Sequence, residues 1–177
     1  LSLLLRDSLP GITSPEGYRL AVSPNGVAIE ATGCAGLFYG LQSLLQLYNA
    51  DSRGRIAAIT ITDEPRFGYR GMHMDVSRHF FPKEHVLKQL DMMACYKLNR
   101  LHLHLTDGPG WRIEIDEYPL LTRIAAWRTA ASWEEWNFRS DRRYVEEGTP
   151  GAYGGYFTKQ DVREIVEYAR RLHITVI

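Results

Sequence analysis

Arg100-Leu101-His102-Leu103-His104-Leu105-Thr106-Asp107 alternates leucine with polar side chains and then stops on Thr-Asp, the pattern of a strand with one apolar face and a polar exit. Upstream of it, Tyr69 to Val76 is also strand-like. Between the two, Pro82 followed by Lys83-Glu84 makes a helix start, with Val86, Leu87, Leu90 and Ala94 on the buried side. Downstream, Thr158-Lys159-Gln160-Asp161 has the form of a capping box ahead of Val162, Ile165, Val166, Ala169 and Leu172, and Ile174 to Ile177 reads as a third strand. Strand, helix, strand, helix, strand predicts an α/β fold of parallel βα units. Three strands are less than half of an eight-stranded barrel, which usually needs roughly 250 residues.

The first third has a different rhythm. Leu1-Ser2-Leu3-Leu4-Leu5 reads as a strand, because Arg6 and Asp7 interrupt it far short of a signal-peptide core or a membrane span. Tyr18 to Val22 and Val27 to Ala31 flank Pro24-Asn25-Gly26 and predict a hairpin. Leu37, Phe38, Leu41, Leu44, Leu45 and Tyr48 recur at helical spacing as one apolar stripe, and Ile56 to Ile61 reads as a further strand. The expected division is a small α/β domain over residues 1–64, leaving through Asp63-Glu64-Pro65-Arg66, and a second domain over 65–177.

With 45% hydrophobic and 24% charged residues the chain is globular, and 21 basic against 21 acidic residues leave no electrostatic footprint for nucleic acid or a membrane surface. Cys34 and Cys95 lack the spacing of a disulfide framework or a metal site and are expected as buried thiols. The chain lacks an initiating Met and stops on the apolar run Thr175-Val176-Ile177, so both ends read as cut.

Candidate chemistry gathers where the strands end, the edge at which barrels build active sites. Arg78, after Asp75-Val76-Ser77, could aim its fork of donors at neighbouring sugar hydroxyls or could form a structural salt bridge. Asp107 could orient or catalyse, or could cap a loop. His102 and His104 share a face as a metal pair would, which points to a metal-dependent amidohydrolase-like barrel. No carboxylate or further His stands at an evident ligand spacing, and the competing expectation is a pair of satisfied core histidines. From about Asp107 to Tyr156 there is little periodicity but there are four tryptophans, Trp111, Trp127, Trp133 and Trp136, each able either to pin the loop or to meet the apolar face of a sugar ring.

Several ordered motifs resemble one family. Pro65-Arg66-Phe67 with Tyr69 to Phe81 resembles the opening of the barrel in family 20 β-N-acetylhexosaminidases. Leu90 to Ala94, Tyr96 to Asn99, Leu101 to Asp107 and Gly110 to Ile115 are similar to its second βα segment, and Ala126-Trp127-Arg128 and Gly154 to Thr158 to the loop and helix start that follow. The hairpin and Ala35 to Leu44 are similar to the small α/β domain preceding that barrel.

The resemblance implies an incomplete (β/α)8 TIM barrel holding its first three strands, within an enzyme that removes terminal N-acetylglucosamine or N-acetylgalactosamine from glycans without metal or organic cofactor. It implies substrate-assisted retaining catalysis, in which the sugar's acetamido oxygen attacks its own anomeric carbon, an Asp orients that group and the adjacent Glu is the general acid. That pair belongs to the fourth strand and a supporting His lies just past the third, so neither is expected in this chain, which is expected to be inactive alone. Arg78 is implied to bind sugar hydroxyls and Asp107 to support the acid through the His. Where the family often carries Asp-Asp-Gln-Gly-Trp, this chain has Asp107-Gly108-Pro109-Gly110-Trp111, without the second acid. The resemblance suggests an exported or lysosome-like setting, and a non-catalytic carbohydrate-binding relative is the alternative of another class.

Overall fold

The computed structural model describes all of residues 1–177, which form two compact units, Leu1–Arg70 with Met93–Asn99, and Gly71–Met92 with Arg100–Ile177.

In the first unit, β1 (Ser2–Leu5), β2 (Tyr18–Ser23), β3 (Gly26–Ala31) and β4 (Ile59–Asp63) make a sheet in the order β1-β3-β2-β4, and α1 spans Cys34–Ala50. β2 and β3 are the expected antiparallel hairpin, with Ser23 opposite Gly26 across Pro24-Asn25, whereas β1 joins β3 in parallel. β4 lies later than its apolar run predicted, because its pairing with β2 sets Ile61 beside Leu20 and Asp63 beside Tyr18.

The helix packs Leu37, Phe38, Leu41 and Leu44 of the expected stripe against the core, half-buried, but its most deeply buried positions lie elsewhere. Leu45 and Tyr48 are exposed, and the buried residues are Gly36, Tyr39, Gly40 and Ser43. Small residues decide this, because they allow backbones to approach closely. A Cβ at Gly36 would stand 2.3 Å from the Gly17 carbonyl oxygen, and one at Gly40 2.5 Å from Ile29 Cγ2. Tyr18, Leu20, Ile29, Ala31 and Tyr39 form the core. The Tyr18 hydroxyl is satisfied there by Ser43 Oγ (2.6 Å), Asp63 Oδ2 (2.9 Å) and Lys97 Nζ (2.8 Å). Burial tends to raise the Asp63 carboxyl, but the bonds from Lys97 and Tyr18 outweigh it and hold the group below the usual carboxylate range.

The second unit contains β5 (Gly71–Asp75), α2 (Lys83–Cys95, whose last turn belongs with the first unit) and β6 (Arg100–His104). β7 (Thr106–Asp107), β8 (Gly110–Trp111), α3 (Leu120–Arg123), β9 (Trp127–Arg128), a π-helical turn at Glu135–Arg139 and β10 (Tyr153–Gly154) follow, before α4 (Lys159–Arg171) and β11 (Thr175–Val176). β11, β6 and β5 form a parallel sheet in that order, as the rhythm predicted. The α4 capping box is present, Asp161 N donating to Thr158 Oγ1 at 3.0 Å and Thr158 N to Asp161 Oδ2 at 3.0 Å. Lys83 at the head of α2 reaches Asp161 at 2.8 Å and Glu164 at 2.6 Å, fixing the starts of both helices together.

Two expectations fail. Both thiols are free but exposed, Cys34 opening α1 and Cys95 closing α2, where neither helix buries its end residue. His102 is exposed and His104 half-buried, so they are not core histidines; Leu101 on the other face is buried, as is Met74 on β5. No helix is long and apolar enough to cross a membrane.

Candidate active site at the strand exits

The register that pairs His73 with His102 and Asp75 with His104 puts all four side chains on one face, since alternate residues of a strand point the same way. Asp75, the last residue of β5, folds the chain back on itself. Its Oδ1 accepts the amides of Ser77 (2.9 Å) and Arg78 (3.1 Å), and its Oδ2 accepts Arg78 Nη1 at 2.8 Å. From across β6, Asp107 Oδ2 forms an ion pair with Arg78 Nη2 at 2.7 Å. Arg78 is thus held between two carboxylates, and both sequence-predicted site residues meet.

The guanidinium is not exhausted by this. Arg has five N–H groups, and Nε–H and one Nη2–H have no acceptor in the protein, while about a third of the side chain is open to solvent. These donors are available to a ligand with adjacent hydroxyls.

Asp107 lies on the β7–β8 hairpin, turned by Gly108-Pro109, rather than on β6 itself. Its Oδ1 accepts the Gly108 amide at 2.7 Å and its Oδ2 faces His104 Nε2 at 3.1 Å. The Gly108 amide, then Arg78 and His104, hold the Asp107 carboxyl below the ordinary carboxylate range. Gly108-Pro109 therefore shapes the turn that supplies this donor.

Behind the cluster stand two fully buried arginines to which the sequence reading gave no role. Arg112 donates from Nε to Val76 O (3.0 Å), from Nη1 to Ala126 O (2.5 Å) and Gly155 O (3.0 Å), and from Nη2 to Ser77 O (2.9 Å). Arg128 donates to the carbonyls of Ala130 (2.7 Å), Pro109 (3.2 Å), Ala131 (2.9 Å) and Arg78 (3.0 Å). Neither side chain has a carboxylate partner; backbone carbonyls converge on both, which satisfies a buried cation only where loops fold around it. Burial pushes the Arg112 guanidinium down to about 10, still charged at neutral pH. Glycine makes the room: a Cβ at Gly110 would stand 2.2 Å from Arg112 Cζ. The available signal was an arginine directly after a tryptophan twice, in Trp111-Arg112 and Trp127-Arg128.

The tryptophans divide. Trp111 and Trp127 spend their indole N–H on Ile113 O (2.6 Å) and Thr122 O (3.0 Å), and Trp136 is buried with the Arg128 guanidinium 5.9 Å from its ring. Trp133, stacked on Trp136, is 40% exposed, and half-buried Trp111 lines a cavity with Thr106, Asp107 and Tyr144. The Tyr144 hydroxyl closes the layer on the Gly108 carbonyl. His73 is near both His102 and His104, with ring centroids 4.8 and 5.7 Å away, yet no three His, Cys, Asp or Glu side chains converge as metal ligands.

The sequence profile of Glycosyl hydrolase family 20, catalytic domain, matches residues 67–177, and that of Glycosyl hydrolase family 20, domain 2, matches residues 3–64. A beta-hexosaminidase of Porphyromonas gingivalis is 41% identical over 170 residues, covering 92% of this chain and 20% of the relative. The crystal structure of a beta-N-acetylhexosaminidase superposes with a TM-score of 0.81 at 36% identity, over 99% of this chain and 34% of that one. For the GH20 exo beta-N-acetylglucosaminidase of Vibrio harveyi in complex with N-acetylglucosamine the TM-score is 0.77 at 34% identity, over 98% of this chain and 26% of that one. The chain spans 18 to 33% of the length of the curated relatives it matches. Matched along almost its whole length by the two profiles in order, the chain belongs to glycoside hydrolase family 20.

Proposed function

We propose that the complete protein hydrolyses terminal N-acetylglucosamine or N-acetylgalactosamine from glycans by substrate-assisted, retaining catalysis. The observation that carries this reading is the state of Arg78: it is fixed by Asp75 and Asp107 at the exits of two parallel strands, with two N–H groups left for a ligand. Fixing the fork in advance spares a bound sugar the cost of ordering it. The relative from Vibrio harveyi, seen with N-acetylglucosamine, supports the sugar assignment.

In this reading residues 65–177 are the opening three strands of an eight-fold barrel, and 1–64 the small domain before it. Arg78 binds sugar hydroxyls. Asp107 orients a histidine and, through it, the general acid, and that acid with its neighbouring Asp is not among residues 1–177. No protein nucleophile is required, because the acetamido oxygen forms the new bond to the anomeric carbon as the leaving oxygen takes the acid's proton. Turnover of a chromogenic N-acetylglucosaminide by the complete protein, beside titration with a hexosamine inhibitor, tests the reading. Inhibitor binding with no turnover would make it a carbohydrate-binding relative, and absence of both would refute the proposal.

A further inference from the structure

His104 is the member of the Arg78 cluster that this reading leaves unused. Its Nε2 stands 3.1 Å from Asp107 Oδ2 and 3.1 Å from Arg78 Nη1, so one atom faces both an anion's lone pair and a cation's N–H. It can serve only one of them. If Nε2 turned its lone pair to Arg78, it and Asp107 Oδ2 would be two acceptors in contact. The position of Arg78 argues against that, because Nη1 is also 3.4 Å from Nδ1. An atom nearly equidistant from the two ring nitrogens lies along the lone pair of neither. One Nη1–H has its acceptor in Asp75 Oδ2 at 2.8 Å, and the second lies against the imidazole between its two nitrogens rather than along the lone pair of either.

We infer that His104 carries its proton on Nε2, donates it to Asp107 Oδ2, and is a positioning residue for that carboxylate. The inference rests on the role proposed for Asp107. A carboxylate offers about four lone-pair sites. His104 occupies one of those on Oδ2, where the Arg78 guanidinium also sits as an ion-pair partner at 2.7 Å, and the Gly108 amide occupies one on Oδ1. With Oδ2 covered by His104 and the Arg78 cation, the open side of the carboxylate is on Oδ1, through which Asp107 engages the group it orients. Removal of His104 reopens a site on Oδ2 and gives the incoming donor two oxygens to choose between. Other charged or titratable groups near the pair are His73 and Asp75 on β5, Arg78 beyond it, and Tyr144, whose hydroxyl bonds the Gly108 carbonyl.

The test is steady-state kinetics of the complete protein on a chromogenic N-acetylglucosaminide, with His104→Leu, His104→Gln, Asp107→Asn and the double variant His104→Leu/Asp107→Asn. Loss of one charge-assisted hydrogen bond predicts a kcat roughly tenfold lower for His104→Leu, with KM little changed. Because an N–H that favours the carboxylate is gone, the acid limb of kcat should also move to higher pH. Glutamine, whose amide N–H reaches about as far as Nε2, should restore most of the rate. The double variant should be no slower than Asp107→Asn, since His104 acts only through Asp107. A wild-type rate in His104→Leu, equal damage from Leu and Gln, or additive losses in the double variant would overturn the inference while leaving the Asp107 reading in place. An unchanged kcat in Asp107→Asn would overturn that reading, and the inference with it.

Discussion

Replacing Arg112 with methionine should loosen the whole strand-exit layer. The guanidinium joins the β5 exit, through Val76 O and Ser77 O, to the loop carbonyls of Ala126 and Gly155, so four hydrogen bonds disappear together. Hydrogen bonds to a charged group are worth roughly 1.5–3 kcal/mol each, a gross loss of about 6–12 kcal/mol. Against this, methionine is spared the cost of burying an uncompensated cation, which is several kcal/mol. The net destabilisation expected is about 3–5 kcal/mol, most of it from carbonyls left without donors. With a urea slope of about 2 kcal/mol per molar, the unfolding midpoint should fall by roughly 1.5–2.5 M. Tryptophan fluorescence is the natural probe, since Trp111, Trp127, Trp133 and Trp136 all lie in the affected stretch. Arg112→Lys should recover little, because one ammonium with three donors cannot reach carbonyls placed around a planar fork. A midpoint for Arg112→Met within about 0.3 M of wild type would refute the claim that this cation organises the layer.

Arg78→Ala in the complete protein should weaken a hexosamine inhibitor by roughly 10–100-fold in calorimetric titration, and equal affinities would remove Arg78 from the site. Asp107→Asn should lower kcat substantially while EDTA leaves the wild type unaffected; loss of activity in EDTA restored by zinc would instead favour a metal site at His102 and His104. Lys97→Met should destabilise the protein by about 1 kcal/mol at pH 7 after allowance for solvent screening. Asp63 is held below its unfolded value, so the stability it contributes is present above that value and lost as pH falls through the folded one. The gap between wild type and Lys97→Met in urea unfolding should therefore narrow as pH is lowered below the ordinary carboxylate range, and a gap unchanged across that range would sink the account. Residues 1–177 alone should release no chromogenic product, and they should self-associate in size-exclusion chromatography through apolar surface such as Val166 and Ile177. A monomer that turns over substrate would show that the site is complete without further residues.

What the sequence by itself determined was everything governed by neighbours along the chain. The hairpin at Pro24-Asn25, the Thr158–Asp161 capping box and the alternation of Leu101, Leu103 and Leu105 with His102 and His104 are local patterns whose period fixes their geometry. Motif order then placed Arg78 and Asp107 at the strand exits. Only the tertiary structure decided that Gly36 and Gly40 of α1 lie deepest, with Leu37, Phe38, Leu41 and Leu44 half-buried beside them, because nothing in helical spacing reports how near the sheet comes. It likewise decided that Arg112 and Arg128 are buried. Their acceptors are backbone carbonyls up to 50 residues away, groups that every residue carries and no side-chain pattern marks. The meeting of Asp75, Arg78, His104 and Asp107 depends on the register of β5 against β6 and on the turn at Gly108-Pro109. Register is a long-range choice made by packing, so the cluster's chemistry becomes visible only when the strands are side by side.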